Sequence, residues 1–330
     1  MKPNVGELVF CSGKYCIIIF AFNVSFAFIT VLINALVFVA LVRIAKRQTW
    51  KTSSVIYCNL IIADFLTGLI CQPLHGYFIL KNKNVYNEKD LSLLEAWLFF
   101  LLNYTSYTLC CSSLLTVAFM SLERLMAIAF SLRHRNISTI SRTVTVLAVL
   151  TLFSAVVPLF RFISSKTEIV FMVLLVLVVI TSLVTVVVAY LMLFRSFKKQ
   201  RITTANLTSM EKAKARGLQQ ERRLAKSFAL ITFILIIMYL PQLLLKPISI
   251  ATDMKKNSAS SALLVILEDS FNTLLYCNSA VNIFVYFARH GEVKKELQAI
   301  FCCSPNNQQN TKSRPGSLPN PSTNQTVTRV

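Results

Sequence analysis

Apolar residues come in seven long runs, at about 17–42, 53–80, 91–130, 143–162, 169–194, 225–250 and 259–287, with short polar gaps between them. Each run exceeds the roughly 18 residues that mark a membrane-spanning helix. The runs are continuous and lack a ten-residue alternation, which predicts helices and not barrel strands: at that length in lipid, only a helix satisfies its own backbone. The third run reaches furthest. From Leu91 to Arg124 it would be roughly 50 Å long as a helix, more than a hydrocarbon core, so Glu123 and Arg124 fall at the far water boundary. After the seventh run, residues 290–303 (HGEVKKELQAIFCC) put Val293, Leu297, Ile300 and Phe301 on one face and charges on the other, the pattern of a helix lying in the interface. The predicted fold is an all-α membrane protein: a seven-transmembrane helix bundle with a short amphipathic eighth helix. Its parts are an extracellular N-terminus (1–16), the bundle (17–287), the amphipathic helix (288–303) and a disordered cytoplasmic tail (304–330) rich in Asn, Pro, Ser and Thr.

Composition changes the picture mainly through charge. The net charge of +20 suggests nucleic acid until its placement is examined. The first gap carries Arg43, Lys46, Arg47 and Lys51 without an acid, and the third Arg133, Arg135 and Arg142. The fifth (195–226) holds ten basic residues against Glu211 and Glu221, whereas the even gaps mix signs. That alternation is an orientation signal: odd gaps in the cytoplasm, N-terminus outside, C-terminus inside, multi-pass in the plasma membrane, with no nucleic-acid partner. Cys58, Cys71, Cys110, Cys111 and Cys277 lie inside runs as small buried hydrophobes. A disulfide between Cys11 and Cys16 stays open, and Cys302 and Cys303, beside the membrane, fit palmitoylation. The terminal Thr328-Arg329-Val330 has the form of a PDZ-domain ligand or of an ordinary chain end.

Polar residues inside the runs carry the candidate chemistry. Asp64 is the one acid at mid-membrane depth. Ser113, Asn278 and Asn282 are its natural partners, an all-oxygen set that suits Na⁺ better than zinc, or else a neutral hydrogen-bonded plug. No cofactor is required, and Na⁺ at Asp64 is the only metal expected. The three histidines, His75, His134 and His290, are too scattered for an acid–base or metal site, so no enzymatic activity is expected.

Asn34; the run from Asn59 through Leu60, Ile61, Ile62 and Ala63 to Asp64; Glu123-Arg124; Tyr190; Pro241; and the stretch Asn278-Ser279-Ala280-Val281-Asn282-Ile283-Phe284-Val285-Tyr286 occur in order on successive runs. In this the chain resembles the rhodopsin-like (class A) G-protein-coupled receptors. The resemblance implies an extracellular ligand (peptide, lipid or small molecule), a heterotrimeric G protein, and arrestin as a further partner. It implies that Arg124 is a switch, held by Glu123 and by Glu221 and released with Tyr190 as the sixth span swings out; Tyr239, Pro241 and Tyr286 belong to the same machinery. Leu132 matches the loop residue that packs on the G protein, and Asp64, Ser113, Asn278 and Asn282 match the sodium pocket.

Several positions depart from the family pattern. Tyr239 stands for the usual tryptophan, Ile283 for the seventh-span proline and Leu125 for the tyrosine after the switch arginine. Phe99 replaces the third-span cysteine, and a short second extracellular loop at about 161–166 has no cysteine either, so the customary disulfide is absent. These features lean toward the melanocortin, adenosine, cannabinoid and lysophospholipid receptors. Ser106 stands where amine receptors carry an aspartate, and Tyr276 where opsins carry the retinal lysine. Near the outer end, Glu95, Glu268 and Asp269 face two readings: they hold a cationic peptide, or Lys246 pairs with Glu268 or Asp269 as a lid. A transporter would need several deep charges and internal repeats, which are not seen. A non-signalling binding or scaffolding seven-span protein stays as the alternative.

Overall fold

The structure, a computed structural model, describes residues 13–47, 50–81, 92–129, 138–201, 237–239, 241, 245, 259–289 and 291–301. Among the described residues all regular structure is helical. Among the described residues, five helices are long and apolar enough to cross a membrane: Cys16–Arg47, Thr52–Leu80, Leu93–Ala127, Ile140–Ile163 and Lys166–Ser196.

Helix α1 (Gly13–Arg47) shows how the pattern is used. Cys16, Asn23, Thr30 and Val37 recur every seven residues, Ala27 and Asn34 fall between them, Leu41 follows, and all are buried. This is one stripe of a helix. Ile17, Phe28, Leu32 and Val39 on the other faces are exposed large hydrophobics, as a lipid-facing surface requires. The second span runs from α2 (Thr52–Leu66) through a π-helical turn (Thr67–Cys71) into α3 (Gln72–Leu80). Pro73 explains the wide turn: it has no N–H to give to the preceding turn, and its ring crowds the carbonyl four residues back.

Helix α4 (Leu93–Ala129) is the third span. Helix α5 (Ile140–Val156) follows, capped by Thr139, and tightens at Pro158 into a 3-10 turn (Val157–Leu159) before α6 (Phe160–Ile163). Only Ser164, in extended backbone, separates α6 from α7 (Ser165–Arg201). The loop expected over 161–166 is thus a single residue. Ser164 N–H donates to Thr167 Oγ1 (2.9 Å) and Thr167 N–H to Ser164 Oγ (3.4 Å), a reciprocal cap that restarts the helix at once. Helix α7 also continues past the expected end at 194, carrying its basic residues beyond the apolar run.

Of the sixth run, residues 237–239 are helical and Tyr239 is buried; most of that run lies outside the described residues. Helix α8 (Ala259–Arg289) passes through Ile283 unbroken. Helix α9 (Gly291–Phe301) follows, and Val293 and Leu297 are buried in the main core while Ile300 packs against it. Its Glu296 forms an ion pair with Arg47 of α1. That core fills the inner half of the bundle, and a smaller outer cluster joins Cys71, Phe78, Leu102 and Tyr276.

Candidate functional site

The buried polar residues form three levels along the bundle. At the outer level, Ser106 and Tyr276 share a hydrogen bond between hydroxyls at 2.8 Å, joining α4 to α8. The Tyr276 ring meets His75 edge-on, with centroids 5.2 Å apart. His75 Nε2 lies 3.3 Å from Thr273 Oγ1 and 3.4 Å from the Asp269 carbonyl oxygen. Thr273 Oγ1 in turn accepts from Asn23 Nδ2 of α1 at 3.1 Å. Four helices thus meet around one polar cluster, and its His75, Thr273 and Asn23 were not singled out from the sequence. The signal that could have found Asn23 is its place on the buried stripe of α1, in register with Thr30 and Asn34.

The outer acids are placed differently from one another. Glu95 caps its own helix: its carboxylate accepts from Ser92 N–H (2.9 Å) and Ser92 Oγ (2.8 Å), and it forms an ion pair with Lys81. Any ligand using Glu95 has to compete with those partners. Glu268 is buried and Asp269 half-buried on α8. Lys246 lies outside the described residues.

At the middle level, Asn282 Nδ2 donates to Asp64 Oδ2 at 2.9 Å. Asp64 is buried, with the Ser279 side chain as a further hydrogen-bonding neighbour. Asp64 Oδ1 and Asn278 Oδ1 are buried with no hydrogen-bond partner among the described residues. Asn34 Nδ2 donates to the carbonyls of Thr30 (2.8 Å) and Ser279 (3.4 Å), so α1 and α8 are tied beside the acid. Asn59 donates to Thr116 Oγ1 of α4 at 2.9 Å, one turn along from half-buried Ser113. Of the residues expected around Asp64, Asn282 is bonded to it; no bond from Ser113 or Asn278 to Asp64 occurs among the described residues, and Ser279 and Thr116 join the level through the fold.

At the inner level, Arg124 Nε lies 3.2 Å from Glu123 Oε2, with the arginine half-buried and the glutamate buried. Tyr190 of α7 is buried in the main core cluster, and so is Tyr239, which lies further out, between the outer and middle levels. Cys110 Sγ donates to the Tyr239 hydroxyl at 3.4 Å, so the tyrosine in the usual tryptophan's place finds a polar partner on α4. Pro241 is helical and half-buried. Tyr286 lies on α8 with its side chain outside the description, and Glu221, Leu132, Cys302, Cys303, Thr328 and Val330 lie outside the described residues. Cys16 is a buried free cysteine, and Cys11 is outside the described residues.

Long lipid-compatible helices around a buried polar column define a multi-span membrane protein. Residues 33–286 match the 7 transmembrane receptor (rhodopsin family), and the chain belongs to that family. It is therefore a rhodopsin-like G-protein-coupled signalling receptor of the cell membrane, whose partners as a class are an extracellular ligand and a G protein, and not an enzyme.

Proposed function

We propose that this receptor converts binding of an extracellular ligand at the Ser106–Tyr276–His75 level into nucleotide exchange on a heterotrimeric G protein, through outward movement of the sixth span. The observation that carries the reading is the inner pair. Arg124 is held against buried Glu123 at the end of α4, and Tyr190 of α7 is buried in the main core. A charge pair at the water boundary has two arrangements of similar free energy, and a ligand that binds one of them better shifts the balance. Glu221 supplies the second restraint, Tyr286 and Pro241 move with the switch, and Leu132 packs on the G protein. The basic odd gaps support a cytoplasmic inner end.

The middle level fits a bound Na⁺. Asp64 Oδ1 and Asn278 Oδ1 are buried oxygens without hydrogen-bond partners among the described residues, the kind of ligand Na⁺ takes, while Asn282 holds Asp64 Oδ2 through its amide nitrogen. Asp64, Ser113, Asn278 and Asn282 would hold the ion, which would supply a positive charge that favours the inactive arrangement. The outer acids Glu268 and Asp269, with Lys246, give the ligand's polar contacts. The absent disulfide and the one-residue loop support a place near the melanocortin, adenosine, cannabinoid and lysophospholipid receptors. Cys302 and Cys303 are acylated, and the tail end offers Thr328 and Val330 to a PDZ domain.

The test is a panel of G-protein biosensors in transfected cells. Glu221→Ala is expected to raise basal signal severalfold in at least one channel, and Arg124→Ala to abolish it. Silence of wild type and Glu221→Ala across all G-protein classes would favour a binding or scaffolding protein instead. Asp64→Asn is expected to remove Na⁺ sensitivity of that basal signal; unchanged sensitivity would remove the ion assignment.

A further inference from the structure

Arg161 brings a full positive charge to the outer end of the bundle, close to the end of the span Ile140–Ile163. Its side chain is half-buried. Its Nη1 donates to the Tyr107 hydroxyl at 2.7 Å, and its guanidinium carbon lies 5.4 Å from that ring's centroid. A guanidinium is always charged and presents a fork of N–H donors. A phenol accepts from one of them and neutralises nothing. Among the described residues no carboxylate forms an ion pair with Arg161: Glu95 is engaged by Lys81, and Glu168 shares the first turn of α7 with Lys166. A cation drawn partly out of water without an opposite charge is unfavourable, and a bound anion offsets that cost.

Its place in the fold puts that charge at the ligand level. Tyr107 follows Ser106 on α4, so the two side chains leave the helix about 100° apart and at nearly one height. Ser106 reaches Tyr276 of α8, while Tyr107 reaches Arg161 of α6 and Phe171 of α7. The acids Glu268 and Asp269 lie on α8, so the two sides of the level carry opposite signs. The bond to Tyr107 fixes the guanidinium, whose planar fork matches the oxygens of a carboxylate or a phosphate. The connection from α6 to α7 is the single residue Ser164, too short to fold back over the arginine. We propose that Arg161, positioned by Tyr107, binds the carboxylate or phosphate group of an anionic ligand. The inference rests on the reading that the Ser106–Tyr276 level takes the extracellular ligand, and it gives that ligand a charge and an orientation. Phe162 and Ile163, exposed beside Arg161, leave two routes for such an anion: an amphiphile arriving through the bilayer, or a soluble acid arriving from water.

The experiment uses the full-length receptor in nanodiscs of zwitterionic lipid and follows its melting temperature against probe concentration. The probes are dodecanoate and dodecyl phosphate, glutarate and inorganic phosphate, with methyl dodecanoate as the uncharged control. At least one anion is expected to stabilise the wild type saturably while the ester does not, and Arg161→Gln is expected to raise the half-saturating concentration by roughly tenfold or more. An arginine with a structural role alone would lower the melting temperature of the free receptor and leave the anion's half-saturation where it was. Stabilisation by the long-chain anions alone assigns the site to an amphiphile, and stabilisation by the short ones to a soluble acid. The proposal is overturned if no anion stabilises the wild type, if the ester acts as well as the acid, or if Arg161→Gln keeps wild-type half-saturation. Should Arg161→Gln fail to fold, Tyr107→Phe decides: released from its anchor, the guanidinium is expected to hold the anion severalfold more weakly, and an unchanged half-saturation overturns the site. Nucleotide exchange keeps the two readings apart. An anion that binds through Arg161 without altering exchange supports the site and counts against this level as the trigger, whereas exchange by a receptor that binds none of the anions strikes the site and leaves the receptor reading standing.

Discussion

The outer half of α4 and the outer half of α1 are packed by opposite means. On α4, Phe100, Tyr104 and Tyr107 follow one stripe toward α5, α6 and α7. Phe100 meets Phe162 at 4.6 Å between centroids, the Tyr104 hydroxyl donates to the Ala155 carbonyl at 3.2 Å, and Tyr107 packs edge-on to Phe171 at 4.9 Å. Arg161 donates to the Tyr107 hydroxyl at 2.7 Å and its guanidinium lies 5.4 Å from that ring's centroid. This aromatic clasp anchors the outer end of α4 in a chain where Phe99 replaces the customary cysteine. On the α1 side, Gly68 and Gly76 of the second span meet Thr30, Val31, Phe20 and Asn23 at close range. The contrast is between an aromatic wall on the α4–α7 side and a close wall set by glycine between α1 and the second span.

Changes on each side sharpen or break that contrast, and thermal unfolding of the purified receptor reads them all. Phe171→Ala removes a fully buried ring from the clasp and is expected to cost the most, about 3–5 kcal/mol. Gly68→Ala forces a methyl to within 2.9 Å of Thr30 and is expected to cost about 1–3 kcal/mol. Gly76→Ala should cost less, since its nearest neighbour, at 3.2 Å, is a Phe20 ring that can rotate. Arg161→Ala loses a hydrogen bond and a ring contact, for about 1 kcal/mol. Arg47→Ala, whose pairing with Glu296 is largely solvent-exposed, should change stability by less than about 0.5 kcal/mol. If Arg161→Ala and Phe171→Ala were both neutral, the clasp would not be the anchor of α4.

The helices were legible in the sequence because lipid imposes a simple rule: long continuous apolar runs become spans. The observed ends lie within a few residues of the expected ones for α4 and α8, and the amphipathic face of α9, with Val293 and Leu297 inward, follows from its periodicity. Two local features were not legible. The π turn at Thr67–Cys71 depends on how Pro73 and Gly68 accommodate α1, a tertiary matter. The one-residue connection at Ser164 depends on a reciprocal cap with Thr167 that an apolar-run boundary does not mark. Among the candidate site residues, Asn282 was expected beside Asp64 because both are polar residues inside spans, and Glu123 beside Arg124 because they are adjacent in the chain. Thr273, His75 and Asn23 were not, because they meet only when α1, α3 and α8 pack together.

The central claim is that Arg124 gates activation of a G protein, and nucleotide exchange measures it most directly. Purified receptor in nanodiscs, wild type and the Glu221→Ala and Arg124→Ala variants, is mixed with G proteins of each class, and GTP-analogue uptake is followed. The account predicts faster exchange for at least one class with wild type, faster still with Glu221→Ala, and the receptor-free rate with Arg124→Ala. Exchange that is accelerated equally by wild type and Arg124→Ala, or by none of the three for any class, would contradict it.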